Sequence, residues 1–151
     1  MGIFRGQGAT EYLVLLAVVL IVALVSVALL GFFPGMAADA RITQSQSYWR
    51  GQARPFAILD NSVTAAGAGT FVIQSMEANG PYTIVDIWMS NSTNATDVAF
   101  GAGETKTIGI GSLTVGTAGT IYDFNVTIQY TTPNGVTSKQ YGTKNLIGKY
   151  V

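Results

Sequence analysis

Two hydrophobic periods divide this chain. From Val14 to Phe33 apolar residues follow one another almost without a break, and no charged residue occurs between Tyr12 and Ala38. About 20 residues at about 1.5 Å rise span the roughly 30 Å hydrocarbon core of a bilayer, so this run reads as a helix for lipid or for a bundle interior. Pro34-Gly35 at its end is a candidate stop or kink. Beyond it the chain turns polar, but Ile42, Ser45 and Trp49 recur at i, i+3, i+7. The helix is therefore expected to run from Gln7 to about Arg54, where Pro55 stops it, a length of about 70 Å.

After Pro55 the period changes to two. Phe56–Leu59, Thr70–Gln74, Tyr82–Met89, Thr105–Ile110 and Ile121–Tyr130 are rich in β-branched and aromatic residues and read as strands. Asn79-Gly80-Pro81, Gly101-Ala102-Gly103, Gly116–Gly119 and Pro133-Asn134-Gly135 read as turns, the last joining Tyr130 to Val136 as a hairpin. Ala65–Gly69, all small, reads as a flexible loop. Six to eight short strands at this spacing predict an antiparallel sandwich or small barrel. The expected fold class is α+β: a long N-terminal hydrophobic helix, then an antiparallel β-sandwich of immunoglobulin type over residues 55–151.

Composition narrows the function classes. Net charge is zero and only 11% of the 151 residues are charged, which leaves no electrostatic footprint for nucleic acid or for a basic membrane-surface patch. There is no cysteine and no histidine, hence no disulfide framework, no thiolate metal site and none of the commonest general base. Asp60, Glu77, Asp86, Asp97, Glu104 and Asp123 are scattered over strand ends and turns with no paired-carboxylate spacing. Gly67-Ala68-Gly69, Gly101-Ala102-Gly103 and Gly109-Ile110-Gly111 are too short for phosphate loops and fit turns. The chain is not expected to be an enzyme or to carry a cofactor or metal.

The chemistry sits instead at the mouth of the apolar run. A leader with one basic residue, Arg5, precedes Gly6-Gln7-Gly8-Ala9-Thr10-Glu11-Tyr12-Leu13. A carboxylate at the edge of a lipid-buried helix is costly unless paired or held at the interface. This motif resembles the signal of archaeal type IV pilins, the class III signal peptide family. The resemblance covers residues 5 to about 33, with Ala9 where many relatives have serine. It implies cleavage between Gly6 and Gln7 by a prepilin peptidase, which removes residues 1–6 and makes Glu11 the fifth residue of the mature chain. It further implies that Glu11 meets the new amine of a neighbouring subunit during assembly. Partners would be many copies of the chain itself, a membrane platform and an assembly ATPase, with the membrane holding the precursor. The segment 7–54 is then the polymerisation and transmembrane helix.

Three N-x-S/T sequons, at Asn91, Asn94 and Asn125, are candidate glycan acceptors and mark an exported surface. The first two follow one another directly in what reads as one polar loop. Arg41, Arg50 and Arg54 after the helix argue for the opposite orientation by the positive-inside rule, but long domains translocate largely regardless of flanking charge. Trp88, Tyr122 and Tyr130 are expected in the core rather than on a sugar-binding face. Lys139, Lys144 and Lys149 are expected to guard a strand edge. The expectation is a subunit of an extracellular filament used for surface attachment. The alternatives are a monomeric membrane-anchored domain that binds a ligand or glycan, and a subunit of an archaellum-type swimming filament. A small-residue secretory cut at Gly35–Ala38 is a further alternative for the N-terminus.

Overall fold

The computed structural model describes residues 7–151, without the side chains of Gln7 and of residues 32–34. The expected leader, 1–6, and Gly6 of the cleavage pair lie outside the described residues. Among those described, one helix is followed by nine strands, an α+β arrangement.

The helix α1, Gln7–Gly51, is 45 residues long and runs through Pro34-Gly35. The candidate stop at Pro34-Gly35 does not act, and the helix continues past it as expected. A proline removes one backbone donor, whereas unwinding would free several backbone groups in a stretch with no polar side chain to receive them. The end comes at Gly51 rather than Arg54. There the Tyr48 carbonyl accepts from both Gln52 N (2.9 Å) and Ala53 N (3.0 Å), and Arg50 complements the last turn. The chain divides into two compact units between Asp39 and Ala40. The first is the apolar part of the helix. The second joins the last helical turns to the strands.

The strands are β1 Phe56–Val63, β2 Gly69–Ser75, β3 Tyr82–Met89, β4 Ser92–Phe100, β5 Thr105–Ile110, β6 Ile121–Phe124, β7 Val126–Thr131, β8 Thr137–Tyr141 and β9 Leu146–Lys149. They form antiparallel sheets ordered β1-β2-β5, β4-β3-β7-β8 and β6-β9. Inward residues alternate along each strand, as in β2, where Phe71 and Ile73 are fully buried and Thr70 and Val72 are not. Phe56 packs edge-on to Phe100 (5.3 Å between ring centres) and Tyr130 (5.7 Å), so the three- and four-stranded sheets share one core.

Three expectations change. The single strand 121–130 breaks at Asn125, and β6 and β7 enter different sheets. The Asn125 carbonyl turns away to accept from Ser90 N at 3.0 Å, which ends one ladder and starts the other. The polar loop around Asn91–Thr96 is largely strand β4, in register with β3 from Ser92↔Met89 to Phe100↔Tyr82. Its asparagine, aspartate and alanines carry little β preference, and pairing with β3 decides the matter. The small-residue tract is a hydrogen-bonded hairpin loop, closed by Thr64 N to Ala68 O (2.8 Å). The Pro133-Asn134-Gly135 turn does join β7 to β8, with Gly135 at φ 81°.

Candidate functional site

Glu11 lies in the second turn of α1, one turn after Gln7, and is exposed. An i, i+4 spacing brings position 7 within reach of this carboxylate on the same helical face. After Glu11 the helix offers solvent almost only hydrocarbon. Large apolar side chains from Tyr12 to Leu30 are 43–71% exposed, and they occur on every face. Ser26, the lone polar side chain between Leu13 and Leu30, donates to Val22 O at 2.7 Å, so its hydroxyl is satisfied within the helix. The segment is long and apolar enough to cross a membrane by length and composition.

The last turns of α1 have a different environment. Ser45 Oγ donates to Asn145 O (2.8 Å) and accepts from Ile147 N (2.9 Å), serving both groups of the β9 approach. Trp49 is 1% exposed, and its ring lies where a Cβ on Gly142 would fall, at 2.5 Å. Only glycine admits it. Arg41 donates to Asp123 at 2.6 Å, and Asp123 also accepts from Asn145 Nδ2 at 2.7 Å. The i, i+3, i+7 face of Ile42, Ser45 and Trp49 was legible in the sequence. The docking role of Asp123 and Asn145 was not, because each sits far along the chain and their types signal only turns.

Tyr122 and Tyr130 pack in or against the core, as expected; Trp88 does not. Trp88 lies half-buried on the outer face of the β4-β3-β7-β8 sheet, with Lys139 Nζ 4.4 Å from its ring centre. The bulge in β3 between Ile84 and Asp86 shifts the alternation and sends Trp88 outward. Lys139 on edge strand β8 is exposed, consistent with its expected edge role. The Tyr122 hydroxyl accepts from Asn61 Nδ2. Burial pushes this phenol above its ordinary value, only partly opposed by that bond.

The three sequons differ. Asn91 is exposed in the two-residue turn of the β3–β4 hairpin, after Ser90 at φ 53°. Asn125 is exposed between β6 and β7. Asn94 points inward from β4, and its Nδ2 donates to Ser92 Oγ (3.3 Å) and Gly111 O (3.2 Å).

The acids are not gathered into a site. Glu77 lies 3.9 Å from Arg54, and Glu104 lies 3.2 Å from Lys106. The Glu104 carboxyl is held below its usual value by the Gly101 N–H, and then by Lys106. Among the described residues, no three acids are placed to hold a metal ion. No protein-family model, curated protein or solved structure matches the chain.

Proposed function

We propose that this chain is the structural subunit of an archaeal type IV adhesion pilus. In this reading residues 7–54 polymerise, and an immunoglobulin-like sandwich coats the fibre. The carrying observation is the helix from Tyr12 to Leu30, whose large side chains are 43–71% exposed on all faces. Each Leu, Ile or Val moved out of water contributes about 1.5–3 kcal/mol, so such a surface is stable only in lipid or against other helices. Copies packed head to tail would generate an open helical filament. The motif Gln7–Leu13 supports the filament over a plain anchor. Prepilin peptidase would act first, the membrane would hold the subunit next, and a platform with its ATPase would extrude it.

The test is the N-terminus of the native protein in sheared-cell and membrane fractions, read by intact-mass and terminal-peptide mass spectrometry. A start at Gln7 in sheared fibres is expected. A start at Met1 confined to membranes would favour a monomeric anchored domain instead. Glu11→Ala should leave processing intact and reduce filaments severalfold by electron microscopy; abundant normal filaments would sink the intersubunit role of Glu11.

A further inference from the structure

We infer that Asn91 and Asn125 are the glycan acceptors of this protein and that Asn94 is not. The first sugars lie on the outer face of the four-stranded sheet, against Trp88. Three N-x-S/T sites are equivalent as sequence, but the sheet sorts them by side. Strand alternation turns Ser92, Asn94, Thr96 and Phe100 of β4 inward and leaves Thr93 exposed. The same alternation turns Val126 and Ile128 of β7 into the core, with Thr127 on the other side.

The register then brings two sequons together. Trp88 pairs with Thr93 on one flank and with Thr127 on the other, and Thr127 pairs in turn with Tyr141. The hydroxyl residues of the Asn91 and Asn125 sequons thus flank one indole. Directly paired side chains have Cβ atoms about 4.5–5.5 Å apart. Their asparagines sit at the same end of the sheet, since Ser90 N donates to Asn125 O at 3.0 Å. Tyr141, 67% exposed, extends the aromatic row. Pyranose rings present apolar C–H faces that pack on aromatic side chains, while Lys139 beside Trp88 supplies a donor for sugar hydroxyls.

Asn94 is built the other way. Its Nδ2 donates toward Ser92 Oγ (3.3 Å) and Gly111 O (3.2 Å), two acceptors themselves joined by the Ser92 hydroxyl bond at 2.9 Å. The hydroxyl of its sequon, Thr96 Oγ1, donates to Ile84 O at 3.2 Å. In the transfer, the amide nitrogen bonds to the anomeric carbon of a lipid-phosphate-linked oligosaccharide. The anomeric C–O bond breaks, and the phosphate leaves with the electron pair while the nitrogen gives up one proton. At Asn94 that nitrogen already ties β4 to Gly111, just beyond β5. In the folded strand Asn94 is only half-buried, but a glycan on it would break the bonds its amide makes to Ser92 and Gly111.

The inference rests on the exported-domain reading of residues 55–151, not on polymerisation. The experiment is glycopeptide mass spectrometry on protein purified from the cells that make it, with Asn91→Gln, Asn94→Gln and Asn125→Gln compared. The Asn91 and Asn125 variants should each lose the mass of one oligosaccharide, and Asn94→Gln should lose none. Enzymatic or chemical deglycosylation should red-shift tryptophan emission in the native protein but not in Trp88→Phe, where only buried Trp49 remains. Sugar on Asn94, bare Asn91 and Asn125, or an unchanged Trp88 emission would each overturn it. The two readings fail separately. A Met1 start with sugar on Asn91 removes the processed filament alone, and a Gln7 start with both asparagines bare removes the glycan assignment alone.

Discussion

Gln140 shows how a single side chain can complete a sheet. It is 5% exposed, and its amide takes the place of a strand: Oε1 accepts from Phe56 N at 3.0 Å and Nε2 donates to Phe56 O at 2.8 Å. Truncation would orphan both backbone groups of the core's central phenylalanine. An unsatisfied buried group costs about 1–3 kcal/mol, so Gln140→Ala should destabilise the domain by about 2–4 kcal/mol. Urea titration with an unchanged m-value checks this. Tyr122 sets an alkaline limit. Burial raises its folded pKa above the unfolded value, so the neutral phenol's contribution is full below about pH 10 and fades as pH climbs through the folded value. Phenolate absorbance should show one tyrosine ionising late, coincident with loss of stability. Tyr122→Phe should abolish that part of the pH dependence, although neither effect was visible in the sequence, where Tyr122 is one aromatic among several.

At the scale of elements, α1 is the segment whose state the sequence dictated most strongly. From Leu13 to Leu30, Leu, Val, Ile and Ala interrupted only by Ser26 leave α1 without a polar stripe, and its large apolar side chains there are 43–71% exposed. A lysine in place of Val22 would put a charge at the middle of that surface, at a cost of about 2.5–3.5 kcal/mol on insertion alone. If the chain assembles as proposed, Val22→Lys should abolish sheared filaments while the full-length protein remains detectable in whole cells by immunoblot. β4 is the opposite case. Ser92–Phe100 contains an asparagine, an aspartate and two alanines, and reads as loop by local preference. It is a strand because β3 beside it, eight residues long, offers open backbone groups along its edge, broken only at the bulge.

At the scale of the molecule, the division between Asp39 and Ala40 assigns the last helical turns to the β domain. Ser45 and Trp49 are as much part of its interior as any strand residue. A chain beginning at residue 40 should therefore fold cooperatively as a soluble monomer. One beginning at residue 55 loses the Trp49 ring and both Ser45 bonds, and should be less stable by about 4–7 kcal/mol, combining core truncation with two buried hydrogen bonds. Size-exclusion chromatography and thermal melts of the two fragments would show it. Equal stability would mean that the helical turns are only laid on the surface.

Periodicity alone determined that an apolar helix precedes an antiparallel β domain, because hydrocarbon without polar relief and strict alternation each allow few backbone solutions. It also placed Ser45 and Trp49 on one helical face, and the Pro133-Asn134-Gly135 hairpin. The tertiary structure decided what depends on partners distant in the chain: that Asn125 separates two sheets, that a bulge turns Trp88 outward, and that Asn94 faces inward while Asn91 and Asn125 face solvent. Local composition cannot carry that information, since a one-residue shift in register moves every side chain of a strand to the other face.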